Sequence, residues 1–249
     1  MMITSVSDIR PIDRAEARTL AAAENERVLY LLTTLSEEEW TRPTDCTDWN
    51  VRDVAGHLLG AVEGFTSPRA FVHMMRAAKK AAGDGSFVDG MTAVQVRDRA
   101  GLTHAELLGR FAAAAPRSTR FRARIPAAFR AIPMKQELLS GETETWKLGY
   151  LLDIILTRDT WMHRVDIARA TGRELVLTND HDGRIVADAV AEWARRHRRA
   201  FTLELTGPAG GTFTGGSGDE PITIDAVELC RVFSGRATGD GLLDQEVPF

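Results

Sequence analysis

The chain has 249 residues, of which 44% are hydrophobic and 27% charged, so it can form one large domain or a domain of about 150–180 residues with a small appendage. Its net charge of −4 argues against a dedicated nucleic-acid surface, and no run of about eighteen apolar residues could form a membrane-spanning helix. Two cysteines, Cys46 and Cys230, exclude a disulfide framework, and residues 1–4 lack a signal-peptide pattern, so a cytoplasmic protein is expected.

The first half of the chain shows helical periodicity with recognisable caps. Asp13, followed three residues later by Glu16, predicts the start of a helix that continues to about residue 35. Asn50 predicts the N-cap of a second helix. A third helix is predicted over residues 92–114, with a kink at Gly101.

Residues 115–133 are rich in proline and arginine. The segment contains Pro116, Pro126, Pro133, Arg117, Arg120, Arg122, Arg124 and Arg130. The prolines predict a long connection, and long connections in compact domains are often functional. Two interpretations stay open here: a solvated loop, which charge alone favours, or a rim that faces an anion.

A polar pair lies in the helix predicted over residues 145–170. Asp159 and His163 are four residues apart, so both side chains leave the same helical face, downstream of an apolar stripe. His57 lies on or beside the inward face of the second helix. Two imidazoles and a carboxylate are the ligand types of an open zinc site, although inward polar residues with ordinary hydrogen bonds would also fit the pattern.

The last quarter of the chain has a different character. A helix is predicted over residues 180–199, strands over 201–206 and 221–224, and a short helix from Asp225 to Phe233. The sequence therefore predicts a mainly α protein, in which a helical bundle is followed by a small α+β piece.

Two segments resemble a known family. The pattern Thr44-x-Cys46-x-x-Trp49-x-Val51-Arg52-Asp53-Val54-x-x-His57-Leu58, and the later His163-x-x-Asp166 and Gly172-Arg173, are similar to the mycothiol-dependent maleylpyruvate isomerase family. That family belongs to the DinB-like superfamily of four-helix bundles. Weaker matches in the C-terminal piece include Gly235-Arg236. The resemblance implies a DinB-like metal-binding domain over residues 1–175 and a small α+β domain over residues 176–249.

The resemblance also implies a metal site. His57 matches the family's first metal-binding histidine and His163 its last, with zinc or another divalent metal as cofactor. A glutamate is the middle ligand of the family, and here that position is Asp159. With the shorter side chain, the metal lies closer to the helix, binds through water, or is lost. Two histidines and a carboxylate would also suit iron or nickel.

The activity implied is that of a mycothiol-dependent isomerase or thiol S-transferase acting on a small electrophilic, anionic substrate. Arg236 resembles an arginine with which the family holds an anionic substrate or cofactor, although an arginine at a helix C-terminus also has a purely structural explanation. The expected partners are a small-molecule substrate and a low-molecular-weight thiol, and the protein is expected to be a monomer or homodimer. The alternative is a non-catalytic metal-binding or regulatory protein, or an enzyme of this fold with a different cofactor.

Three further residues near these motifs have open roles. Asp166 could accept a hydrogen bond from the His163 imidazole or pair with Arg164 or Arg169. Cys46 could be a ligand or a redox group, or simply a small buried residue. Trp49 is interpreted as a core anchor that fixes the entry of the second helix.

Overall fold

A computed structural model of the chain describes residues 3–216 and 221–249. Residues 1, 2 and 217–220, which the predicted domains 1–175 and 176–249 include, lie outside the described part. The chain forms two compact units, and residues 14–132 and 149–174 make up the helical one. Among the described helices, none combines the length and apolar character that crossing a membrane requires.

The helical unit is built around a four-helix bundle. The four helices of the bundle form a closed ring, because the first and the second each pack against both the third and the fourth. The helices of this part of the chain are α1 (Arg14–Thr33), α2 (Val51–Gly64), α3 (Pro68–Ala82), α4 (Phe87–Arg97), α5 (His104–Arg124), α6 (Ala127–Arg130), α7 (Leu148–Tyr150) and α8 (Leu156–Thr171). The bundle helices are α1, α2, α5 and α8. The predicted mainly α fold with a helical bundle is confirmed.

Helix α2 shows how the sequence determines the bundle. The Asn50 side chain accepts a hydrogen bond from the Asp53 backbone N–H, and the Asp53 carboxylate accepts one from the Asn50 backbone N–H, a complete capping box. Val51, Val54 and Leu58 are at most 1% exposed. Burying each such side chain contributes about 1.5–3 kcal/mol, which fixes the α2 face that points into the bundle and carries His57.

Two predictions for the middle of the chain are wrong. Residues 92–114 are not one helix, because the chain turns near Gly101 and Thr103 caps a new helix, α5. Residues 115–133 are not a long loop, because α5 continues to Arg124 with Pro116 inside it. This proline is tolerated because it lies on the exposed side of α5, where water can satisfy the Ala112 carbonyl that loses its helical partner.

Two arginines of that segment are buried structural residues, which contradicts an anion-facing rim at these positions. The Arg122 guanidinium donates to the Leu152 carbonyl, and Arg130 donates to the Arg122 carbonyl and pairs with Asp153. Burial lowers the pKa of Arg122 to about 10. The contacts with Leu152 and Asp153 hold the π-helical turn Leu151–Ile155, which precedes α8.

Helices α3 and α4 approach each other closely at Gly90. A Cβ atom at Gly90 would lie 2.5 Å from the Ala82 nitrogen and 2.6 Å from the Ala78 carbonyl oxygen. Both obstacles are backbone atoms, which cannot move aside as a flexible side chain would.

Gly90→Ala is therefore expected to lower the free energy of unfolding by about 1–3 kcal/mol through overpacking. Gly109, inside α5, has open space around its Cβ position, and Gly109→Ala is expected to raise the free energy of unfolding by about 0.5–1 kcal/mol. Urea denaturation of both variants measures the two signs. A stabilised Gly90→Ala variant would contradict the close contact between α3 and α4.

The second unit comprises residues 3–13, 133–148 and 175–249, as far as these are described. Its helices are α9 (Arg184–His197) and α10 (Ala226–Phe233), and its strands are β1 (Ile3–Ser5), β2 (Pro133–Glu137), β3 (Thr143–Lys147), β4 (Phe201–Thr206), β5 (Gly211–Gly215) and β6 (Ile222–Asp225). A four-stranded sheet has the order β1-β5-β4-β6, with only β4 and β5 antiparallel, and β2 and β3 form a separate hairpin. The predicted small α+β C-terminal part is confirmed.

The residues that form this unit differ from the predicted C-terminal domain, residues 176–249. Residues 3–13 and 133–148, which the prediction assigns to the bundle domain, also belong to it. Strand β1 joins the C-terminal sheet through Ile3 opposite Thr212. Glu144 of the hairpin accepts hydrogen bonds from Arg196 of α9, the shorter being 2.6 Å long. Residues 145–147, predicted as helix, are strand because they pair with β2.

Candidate metal centre

Helix α8 places a polar face in the interior of the bundle. Arg164 of α8 and Glu24 of α1 form a buried ion pair, in which Nε donates to Oε1 at 2.6 Å and a second guanidinium nitrogen donates to Oε2 at 3.2 Å. The side chains are only 3% and 0% exposed. This two-point contact fixes the rotation of α8 relative to α1, and with it the direction in which the neighbouring His163 points.

The structure brings the three predicted ligands together. The Asp159 carboxylate lies between the imidazoles, with Oδ2 3.5 Å from His57 Nε2 and Oδ1 3.4 Å from His163 Nε2. The two imidazole centroids are 4.9 Å apart with an interplanar angle of 72°. One donor atom from each residue lies within 4.8 Å of the others.

The donor set fits a divalent metal. Two ligand atoms at zinc distances and tetrahedral angles lie about 3.3–3.6 Å apart, and each imidazole Nε2 lies at such a distance from one of the two Asp159 oxygens. Both ring nitrogens of His57 are buried and have no hydrogen-bond partner among the described residues. A buried imidazole normally has such a partner, and a metal ion would supply one.

Asp159 lies within 3.5 Å of both histidines, although its side chain is shorter than the glutamate that the family resemblance implies at this position. Burial would raise its pKa, but the His163 and His57 imidazoles outweigh that effect and hold the pKa of Asp159 well below its usual range. The residue therefore presents a carboxylate at neutral pH, which is the form that binds a metal.

The opposite side of the His163 ring is hydrogen-bonded to Asp166. Nδ1 of His163 lies 2.9 Å from Asp166 Oδ2, and the Asp166 side chain is fully buried. Arg164 binds Glu24, and Arg169 lies 3.3 Å from Asp45. The structure thus shows the contact of Asp166 with the His163 imidazole, which is one of the roles considered for this residue.

The charged surroundings also set the protonation of His163. Burial disfavours the imidazolium, but Asp159, Asp166 and Cys46 outweigh it and raise the pKa of His163 well above its usual value. The metal-free protein therefore favours the imidazolium form of His163, and binding of a metal at Nε2 requires the loss of the Nε2 proton.

The segment before α2 contributes two residues to this centre. Cys46 Sγ lies 3.3 Å from Asp166 Oδ2 and 3.7 Å from His163 Nδ1. Trp49 is half-buried, and its ring centroid is 5.1 Å from that of His57 and 6.3 Å from that of His163. Trp49 thus packs on both candidate ligands, a contact that the interpretation as a core anchor missed.

Cys46, His163 and Asp166 form a second group of possible metal donors. Their separations of 3.3 and 2.9 Å to Asp166 Oδ2 are hydrogen-bond distances. These hydrogen bonds already satisfy the Asp166 oxygen, whereas neither nitrogen of His57 makes a hydrogen bond to a described residue. The set of His57, Asp159 and His163 is therefore the better metal site.

Arg236 belongs to the α+β unit, directly after α10. Gly235 adopts a φ of 73°, and the Arg236 N–H donates to the Arg231 carbonyl at 2.8 Å while the Gly235 N–H donates to that of Val232 at 3.1 Å. This is a Schellman motif, which explains why glycine precedes Arg236. The catalytic role of Arg236 stays a prediction.

Comparison with known proteins identifies the family of this chain. A family model described as the mycothiol maleylpyruvate isomerase N-terminal domain matches residues 21–168. No curated protein matches the chain. Crystal structures of a mycothiol-dependent maleylpyruvate isomerase and of its histidine-to-alanine mutant each superpose with a TM-score of 0.56 at 15% identity, over 94% of this chain and 93% of theirs. That likeness shows a shared fold, and since the family model covers more than half of the sequence, the chain belongs to the mycothiol maleylpyruvate isomerase family.

Proposed function

We propose that this protein is a metal-dependent enzyme that uses mycothiol and acts as an isomerase or thiol S-transferase on a small electrophilic, anionic substrate. The observation that carries the proposal is the set of His57, Asp159 and His163, whose donor atoms lie within 4.8 Å of one another, with neither His57 ring nitrogen hydrogen-bonded to a described residue. Family membership supports mycothiol as the thiol. The similar solved structures are those of a mycothiol-dependent maleylpyruvate isomerase.

Each residue of the site has a distinct task in this proposal. His57, Asp159 and His163 hold the metal, for which zinc fits and iron or nickel would also suit the donor set. A bound metal favours the thiolate form of a neighbouring thiol, which is the nucleophile. Asp166 keeps a proton on Nδ1 of His163 and so leaves Nε2 for the metal. Arg236 is proposed to bind the substrate or cofactor anion, because a guanidinium binds carboxylates in a bidentate manner.

The second candidate function is a non-catalytic metal-binding or regulatory protein, or an enzyme of this fold with another cofactor. The presence of Asp159 where the family has a glutamate favours it. In all these cases we propose a cytoplasmic protein, monomeric or homodimeric, whose partners are small molecules and neither nucleic acid nor membranes.

Assays of the zinc-loaded protein with maleylpyruvate and mycothiol distinguish these functions. We expect turnover that falls at least about 100-fold when a chelator removes the metal and returns with zinc. We also expect Arg236→Gln to raise KM more than it lowers kcat. Zinc binding without conversion of maleylpyruvate or of other small electrophiles would favour the non-catalytic protein, and metal-dependent turnover without mycothiol would indicate another cofactor.

A further inference from the structure

Internal hydrogen bonds fix the conformation of the loop formed by residues 43–50, and an ion pair connects this loop to the end of α8. The Thr44 hydroxyl accepts a hydrogen bond from the Cys46 N–H at 3.2 Å and donates one to the Trp49 carbonyl at 2.9 Å. Asp48 adopts a φ of 66°, which allows the tight turn between Cys46 and Trp49. Outside the turn, Asp45 pairs with Arg169 in the last part of α8.

We propose that this loop positions both metal-binding imidazoles, His163 through Cys46 and Asp166, and His57 through Trp49. Cys46, Trp49 and Asp166 are positioning residues, since they act on the metal only through the histidines. The inference rests on the proposed metal centre and deepens it, because it explains how each imidazole is oriented.

The His163 ring is oriented by a hydrogen bond on the side opposite Asp159. Asp166 Oδ2 accepts the Nδ1–H of His163 at 2.9 Å and also lies 3.3 Å from Cys46 Sγ, the distance of an S–H donor. With Nδ1 committed to Asp166, only Nε2 faces Asp159. The Cys46 thiol in turn fixes the Asp166 carboxylate, which is fully buried and depends on such donors.

The His57 ring is held differently. Neither of its nitrogens has a hydrogen-bond partner among the described residues, so no hydrogen bond there can orient it as Asp166 orients His163. The Trp49 ring packs on it at a centroid distance of 5.1 Å and an angle of 40°. Packing against a large rigid aromatic side chain restricts the imidazole without engaging either nitrogen, and so leaves one free for the metal.

Zinc affinity, measured by competition with a chromophoric chelator, tests both arms of the proposal. We expect Asp166→Asn to weaken zinc binding by about 10–100-fold, and Cys46→Ala by about fivefold through loss of one hydrogen bond. Trp49→Leu is expected to weaken it by a similar factor. Asp48→Asn is the matched control, because it removes a charge from the same loop, asparagine tolerates positive φ, and its zinc affinity should stay within about twofold.

Nitrogen-15 NMR of the histidine rings separates positioning from a general effect on folding. In the zinc-loaded wild type, His163 should bind zinc through Nε2 and carry a proton on Nδ1, and folded Asp166→Asn should shift these signals. The proposal is overturned if His163 binds through Nδ1, or if Asp166→Asn matches the control in both affinity and ring signals. Should Asp166→Asn fail to fold, the same two measurements on Cys46→Ala and Trp49→Leu decide.

Failure of the metal centre itself would look different. If the wild type binds no zinc, the proposed function loses its basis, but positioning of His163 is still measurable in the metal-free protein. The Nδ1 proton of His163 should then exchange slowly with water in the wild type and faster in Asp166→Asn. Rapid exchange in the wild type would overturn the role of Asp166 as well.

Discussion

Glu24→Gln is expected to lower the free energy of unfolding by about 3–5 kcal/mol. The substitution keeps the shape of the side chain but removes its charge, which leaves the Arg164 guanidinium buried opposite a neutral amide. A buried charge that loses an ion-pair partner is expensive to keep in a low-dielectric interior. Because the pair also fixes the rotation of α8, the same variant should bind zinc more weakly. Urea denaturation and chelator competition measure the two effects.

A surface pair provides the control for this prediction. Asp98 and Arg97 form an ion pair whose side chains are 43% and 67% exposed, and Asp98→Asn should change the free energy of unfolding by at most about 1 kcal/mol. The double variant Glu24→Gln, Arg164→Met should be more stable than Glu24→Gln alone, because it also removes the buried charge that has lost its Glu24 partner. A loss below about 1 kcal/mol in Glu24→Gln would contradict the structural importance given to this pair.

His57→Ala is expected to weaken zinc binding by at least about 100-fold, more than the loss of a residue that only supports a ligand. It should also abolish stabilisation by zinc. A metal present at a hundred times its Kd stabilises the folded protein by about 2.7 kcal/mol, and the variant should show almost none of that increase. Thermal unfolding with and without zinc measures the difference.

His73→Ala is the matched control for His57→Ala. His73 is exposed on α3, so its removal should leave zinc binding and stabilisation by zinc unchanged. Equal zinc content in wild type and His57→Ala would show that His57 is not a ligand. The metal-free form of His57→Ala must fold for this comparison, and the absence of any hydrogen bond to its ring nitrogens in the described structure favours that.

The features of the site that depend on local spacing could be predicted from the sequence. The Asn50 cap places His57 on the inward face of α2, and four-residue spacing puts Asp159 and His163 on one face of α8. Both follow from the helical repeat alone. That α2 and α8 bring these three residues together could be expected only from the family resemblance, and the structure shows it.

Features that depend on tertiary contacts could not be predicted. Cys46 meets Asp166 across 120 residues of sequence, and nothing in the local pattern around Cys46 indicates its partner. A proline normally ends or kinks a helix, but α5 continues past Pro116, which lies on its exposed side. In the described part of the chain β3 pairs with β2, a contact that the local pattern of residues 145–147, which predicts the beginning of a helix, does not reveal.

The most direct test of the metal centre is zinc K-edge X-ray absorption on the thiol-free, zinc-loaded protein. We expect two imidazole nitrogens and a carboxylate oxygen at about 2.0–2.2 Å, with no sulfur near about 2.3 Å. These ligands would be His57, His163 and Asp159, and His57→Ala should remove one imidazole from the spectrum. A sulfur ligand in the wild type would instead indicate the group of Cys46, His163 and Asp166, and would contradict the site proposed for this protein.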